Sequence, residues 1–225
     1  FLFEYDIDIN INQRPDDTPT TEITTESSSN QLSVVIIDKL TMANVYIQVN
    51  YQDGYEFGSG VIIHEDATHY YALSNYHVID GNGHVINSYE VKTQDQVTSS
   101  FETVKIDESL DLVLIKFEKE NRTSNIIPLA ITDTYSANDI VASVGNPLGN
   151  FGQVTYGFIL DIKTLQELEL THQVIEHNAT LFNGSSGGAL VNGQGELIGL
   201  NTWKLNGMYY AIIASVINDF LIYII

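Results

Sequence analysis

Asn183-Gly184-Ser185-Ser186-Gly187-Gly188-Ala189-Leu190 sets two serines in a glycine-rich turn that runs straight into apolar residues. Flanking glycines let the backbone approach a substrate carbonyl closely and aim N–H groups at it, and such donors stabilise the oxyanion of acyl transfer. Alone, a Gly-Ser loop reads as an ordinary turn, because a serine hydroxyl is a poor nucleophile without a base to take its proton. The stretch gains meaning only if a histidine and an acid stand in suitable settings. Leu73-Ser74-Asn75-Tyr76-His77-Val78-Ile79 sets His77 just past a strand, and Ser109-Leu110-Asp111-Leu112-Val113-Leu114-Ile115 sets Asp111 at the start of another. Asp107 is the alternative acid, but no Leu-Val-Leu-Ile strand follows it directly.

Outward from these residues the texture is short strands and tight turns. Val45-Tyr46-Ile47-Gln48-Val49, Gly60-Val61-Ile62-Ile63 and Tyr70-Tyr71-Ala72-Leu73-Ser74 are β-branched or aromatic runs of strand length. Asp53-Gly54, Asn82-Gly83, Asn192-Gly193 and Asn206-Gly207 are expected to supply the positive-φ residues that hairpin turns need. Helical periodicity is expected only near the end, where Ser215 reads as the N-cap before Val216, Ile217, Phe220 and Leu221. The polar run Glu118 to Asn125 divides the β-rich region into comparable halves. This pattern predicts an all-β chain of two small antiparallel barrels, a polar connection and a terminal helix.

The surroundings of His77, Asp111 and Ser186 resemble those in trypsin-like peptidases of the chymotrypsin fold, and most closely the bacterial HtrA/DegP-type group. Phe57-Gly58-Ser59-Gly60-Val61-Ile62-Ile63, Val144-Gly145-Asn146-Pro147-Leu148-Gly149, Gly195 to Thr202 and Tyr210-Ala211-Ile212 also fit that group, in the same order. The resemblance implies two six-stranded barrels and a serine endopeptidase. It makes Ser186 the nucleophile, His77 the general base and acid, Asp111 the residue orienting the imidazole, and the backbone N–H groups of Gly184 and Ser186 the oxyanion hole. It also implies a substrate pocket framed by Thr180, Leu181, Asn201 and Thr202. No carboxylate or histidine stands there, so cleavage is expected after small or medium apolar residues rather than after Lys, Arg or Glu. Ser185 departs from the group's usual Asn, Asn178 stands where Asp is common, and Phe182-Asn183 replaces Asn-Pro. In trypsin-like zymogens the residue before the nucleophile is an Asp that pairs with a freed N-terminal amine; with Ser185 there, that activation route is not expected. The altered loop keeps a second reading open, a catalytically silent protein- or peptide-binding module of the same fold.

Composition narrows the partners. Nine Lys and Arg against 29 Asp and Glu give a formal net charge of −20. A nucleic-acid binder needs a basic face to displace phosphate counterions, so that class is disfavoured, as is docking on anionic lipid. Cysteine is absent, and neither a cofactor nor a metal is expected. His64-Glu65-Asp66-Ala67-Thr68-His69 has one residue too many for a helical zinc pair and reads as an exposed hairpin turn. His172 and His177 read as rim residues and His84 as solvated. No apolar run is long enough for a membrane helix, and the chain reads as a mature or trimmed extracytoplasmic protein, secreted, cell-surface or periplasmic.

The domain reading follows. Residues 1–12 alternate apolar and polar like a half-buried strand and form an arm, laid against the chain's own sheet or used as a homo-oligomer contact. Residues 13–31 are a polar linker. Residues 32–225 are the peptidase-like domain, with barrel one over about 32–118, barrel two over about 126–214 and the helix over about 215–225.

Overall fold

The computed structural model describes residues 32–119, 126–165 and 172–224. The arm and linker expected over residues 1–31, and most of the polar connection, lie outside the described residues.

The first element is a helix, α1 (Val34–Ala43), which periodicity did not predict. Val34, Val35, Ile36 and Ile37 are β-branched and lose side-chain freedom in a helix, so local propensity is poor. Two other factors hold it. Ser33 Oγ accepts from the Ile36 N–H at 3.4 Å as a weak N-cap, and Leu40 and Ala43 are buried in the central core. Tertiary packing overrides propensity here.

Seven strands follow: β1 (Asn44–Tyr51), β2 (Tyr55–Glu65), β3 (His69–Ser74), β4 (Ile86–Lys92), β5 (Thr98–Ser100), β6 (Glu102–Asp107) and β7 (Leu112–Glu118). They form one antiparallel sheet in the order β5-β4-β1-β2-β3-β7-β6. The expected first barrel is thus a curled seven-stranded sheet, with β5 and β6 at its two edges. The second half comprises β8 (Ile140–Gly145), β9 (Gln153–Thr164), β10 (Gln173–His177), β11 (Ala189–Val191), β12 (Leu197–Leu205) and β13 (Met208–Ile213). These six close into a barrel in the order β10-β13-β12-β11-β8-β9. The terminal helix α2 (Ala214–Leu221) is present, but Ile213 holds the cap position and Ser215 lies inside the first turn.

The turn dipeptides divide. Asn82-Gly83 and Asn206-Gly207 have positive φ at both residues, the second pair closing the β12–β13 hairpin. Asp53-Gly54 and Asn192-Gly193 turn without positive φ, and between β11 and β12 the left-handed residue is Gly195.

Each half has its own core, one around Val45, Ile47 and Ile115, the other around Val141, Ile159 and Ile198. A third core lies between them, joining Leu73 and Leu114 of the first half to Val144, Leu197 and Ile212 of the second, with α1 and α2 packed on it. The described end of the connection stitches the halves together. Leu129 N–H donates to Ile62 O at 3.0 Å, and Leu197 N–H donates to Ala130 O at 2.8 Å. Buried Asn146 adds a polar tie: its Nδ2 donates to Val45 O at 2.8 Å, and its Oδ1 accepts from Asn44 Nδ2 at 2.8 Å.

Candidate active site

His77 sits in a 3-10 turn, Tyr76–Val78, that follows β3 directly. Asp111 ends the turn before β7 with φ +55, a left-handed conformation that aspartate tolerates better than most residues. Strands β3 and β7 are paired, Ser74 opposite Val113, so their neighbouring ends bring the two residues together. Asp111 Oδ1 accepts from the His77 backbone N–H at 2.9 Å and Oδ2 lies 2.7 Å from His77 Nδ1. A carboxylate only accepts, so Nδ1 carries the proton and Nε2 presents a lone pair. Asn75 braces the pair from below, donating to Asp111 O at 3.0 Å and to Thr202 Oγ1, across the cleft, at 2.9 Å. Burial pulls the His77 pKa down, but the hydrogen bond and charge of Asp111, with Asp80 and Glu56 behind it, outweigh that and leave it above 6.5. Asp107 is occupied elsewhere: it accepts from the Ser109 and Leu110 N–H groups of its own turn, both at 3.1 Å.

Ser186 and His77 line the same cleft, with no hydrogen bond between their side chains among the described residues. Its hydroxyl donates at a long 3.5 Å to Thr202 O, and its carbonyl accepts from Ser59 N–H at 2.9 Å. The loop before it is anchored at every peptide. Leu148, exposed and at φ +54, donates its N–H to Asn183 O at 2.7 Å. In a planar trans peptide the next N–H, that of Gly184, points the opposite way from this carbonyl. Ser59 Oγ donates to Gly184 O at 2.6 Å while accepting from Asn146 N–H at 2.7 Å. Gly184 has φ +92, and a Cβ there would meet Phe57 at 2.5 Å and Asn146 O at 2.6 Å. Ser185 is buried, its N–H donating to Phe182 O at 2.9 Å and its hydroxyl accepting from Phe182 N–H at 3.2 Å. The N–H groups of Gly184 and Ser186 have no acceptor among the described residues. Two free donors lining the same cleft as a hydroxyl and an imidazole can stabilise a negative oxygen if they point at it.

Two clefts meet at Ser186. One, of about 310 Å³, is walled by Leu181, Phe182 and Asn183 on one side and Thr202, Trp203 and Lys204 on the other. The second, of about 320 Å³, contains His77, Gly184, Phe57 and Glu56. Of the expected pocket residues, Leu181 and Thr202 line the first cleft, but Thr180 and Asn201 do not. Thr180 is exposed, its carbonyl accepting from Thr155 Oγ1 at 3.0 Å. Asn201 is wholly buried, donating to Ser143 Oγ at 2.8 Å and Ala189 O at 3.0 Å. His177 is not a rim residue either. It is wholly buried beside Tyr209, and desolvation lowers its pKa to about 4. His84 is exposed and stacks on Tyr51 at 4.7 Å, and His64 and His69 flank the β2–β3 hairpin.

Sequence reasoning gave no role to Ser59, Leu148, Lys204 or Glu56. Ser59 and Leu148 lay inside quoted motifs. Lys204 was legible as the residue after Trp203 on the second wall, and Glu56 as the residue before the Phe57-Gly58 run.

A family description, the trypsin-like peptidase domain, matches residues 58–200. A probable periplasmic serine protease do/HhoA-like of Haemophilus influenzae is 37% identical over 147 residues, covering 64% of this chain and 30% of that protein. The periplasmic serine endoprotease DegP of Salmonella typhimurium is 37% identical over 147 residues, 64% of this chain and 29% of the relative. This chain thus spans under a third of the length of these curated relatives. Among solved structures, an HtrA-type protease, AlgW with tripeptide, aligns with a TM-score of 0.70 at 26% identity, covering 82% of this chain and 60% of that one. A serine endoprotease from Yersinia pestis aligns with a TM-score of 0.66 at 28% identity, covering 82% and 63%.

Proposed function

The chain belongs to the trypsin-like peptidase family, and from that membership we propose that it is a serine endopeptidase of the HtrA/DegP type with His77, Asp111 and Ser186 as its triad. The observation that carries the reading is the joint presence, around one cleft, of the Asp111–His77 pair at 2.7 Å and two unfilled N–H donors at Gly184 and Ser186. Substrate binding shortens the distance between Ser186 Oγ and His77 Nε2. Nε2 takes the hydroxyl proton as Oγ attacks the peptide carbonyl. Negative charge develops on the carbonyl oxygen, where the two N–H groups receive it. The imidazolium, held by Asp111, returns its proton to the leaving amine. Water, deprotonated by the same imidazole, then hydrolyses the acyl-enzyme.

Protein and peptide segments are the substrates in this reading, and the location is extracytoplasmic, the compartment named for the periplasmic relatives. Leu181, Phe182, Thr202 and Trp203 give the acyl-side cleft an uncharged, partly apolar stretch of wall, with Lys204 its one charged lining residue, which supports cleavage after small or medium apolar residues. A buried Lys or Arg side chain would meet no carboxylate there, and an unpaired buried charge costs several kcal/mol.

The test is active-site labelling with a fluorophosphonate, read by mass spectrometry. Ser186 should be the modified residue. The labelling rate needs neutral His77, so it should fall as pH drops through the His77 pKa, with the midpoint of that acid limb above 6.5. Labelling elsewhere, or none in folded protein, would favour the silent binding module. A midpoint below 6.5 would show that Asp111 does not outweigh burial.

A further inference from the structure

We infer that the cleft is polarised in charge about Ser186, with Lys204 selecting an acidic side chain within the three residues before the cut, beyond the apolar residue at the cut itself, and Glu56 selecting a basic side chain after it. This rests on the protease reading and deepens it. Sidedness comes first. The imidazole must hand a proton to the leaving amine, so the cleft that contains His77 holds the leaving-group side, and Glu56 lines it. The cleft without His77 holds the acyl side, and Lys204 lines that one.

Next comes reach. β12 pairs with β11 only as far as Leu200, and beyond Asn201 its described partner is β13 alone. The Thr202–Lys204 edge can therefore accept an extended peptide as an added strand. Thr202 O lies 3.5 Å from the Ser186 hydroxyl. Lys204 stands two residues farther on, about 7 Å along a strand, so its ammonium faces a residue within about three positions of the cut.

Among the described lysines, Lys116, Lys119 and Lys163 are ion-paired to a glutamate and Lys39, Lys92, Lys105 and Lys204 are not; of those four, Lys204 alone lines the cleft that reaches Ser186. Lys204 has no carboxylate within 4.0 Å among the described residues and lies over the Tyr209 ring at 5.5 Å, a contact that leaves its charge unneutralised. An ammonium without a carboxylate partner, lining the cleft that reaches the nucleophile in a chain of net charge −20, is a cation left for a ligand. Glu56 likewise has no ion pair among the described residues, and its charge reaches His77. The substrate class that fits is a polypeptide segment whose charge changes from acidic to basic across the scissile bond.

The experiment digests a peptide library derived from a cellular proteome and reads residue frequencies around each cut by mass spectrometry, with fluorophosphonate labelling of the same samples. Wild-type protein should enrich Asp and Glu about three- to fivefold within three residues before the cut, and Lys and Arg by a similar factor after it, both preferences shrinking in high salt. Lys204→Glu should invert the first preference and leave the second; Glu56→Lys should do the reverse. Lys204→Gln should erase the first without inverting it, which guards against loss of folding in the charge-reversed protein. Wild-type protein that labels at Ser186 but cuts without charge preference, or not at all, overturns this inference alone. So does an acidic preference that survives both Lys204 variants. Protein that neither labels nor cuts overturns the protease reading, and this inference with it.

Discussion

Ser186→Ala and His77→Ala should each lower peptide hydrolysis by roughly 10⁶-fold, and the double variant should be little worse than either. The expectation follows from geometry in which neither group works alone. Without the imidazole, the Ser186 hydroxyl has only Thr202 O at 3.5 Å, an acceptor that cannot carry the proton away. Without the hydroxyl, the Asp111–His77 pair has nothing to deprotonate except water. What survives is the residual stabilisation from the Gly184 and Ser186 N–H groups, which belong to the backbone and persist in both variants. Stability should change little, within about 0.5 kcal/mol for Ser186→Ala, since its hydroxyl packs against nothing in the core. The measurement is single-turnover cleavage of a peptide ester, with thermal denaturation as the control for folding. Losses that multiply in the double variant, or turnover retained by Ser186→Ala, would remove the unit mechanism.

The legible parts of this molecule are those in which local residues determine local form. The strand ends at Ser74 and Leu112 could be read from β-branched and aromatic runs, and they suffice to bring His77 against Asp111 once β3 and β7 pair. The glycines around Ser186 could be read because a close backbone approach needs residues without a Cβ, and a Cβ at Gly184 or Gly187 would collide with the backbone oxygen of Asn146 or Ser59. Features set by distant partners were hidden. Helix α1 exists because Leu40 finds the core between the halves, against its own β-branched sequence. His177 is buried because β10 closes the second barrel against β9 and β13, which no local pattern around a polar residue announces. Asn201 left the expected pocket for a similar reason. Its amide satisfies Ser143 and Ala189 inside the barrel, so the wall of the cleft begins one residue later, at Thr202, and runs on to Lys204.

Asp111→Asn tests the pair that organises the rest, and it should reduce acylation by about 10⁴-fold while leaving the fold intact. Two N–H donors converge on this carboxylate, the His77 backbone N–H at 2.9 Å and His77 Nδ1–H at 2.7 Å. Asparagine offers one acceptor oxygen and one amide nitrogen that only donates. The backbone N–H cannot change its character, so the asparagine oxygen must face it, and the NH2 group then faces Nδ1. The imidazole can relieve that clash only by moving its proton to Nε2, the atom that receives the Ser186 proton in the proposed mechanism. The base is thereby lost through tautomer rather than through distance. The φ of +55 at this position suits asparagine as well as aspartate, so denaturation should show no large destabilisation. The pH profile gives a second readout. Burial lowers the His77 pKa, and Asp111 is the first of the groups that raise it, so removing its charge should move the residual acid limb to lower pH. A loss below tenfold, or an acid limb that does not move, would mean that another group orients His77 and that the role given to Asp111 is wrong.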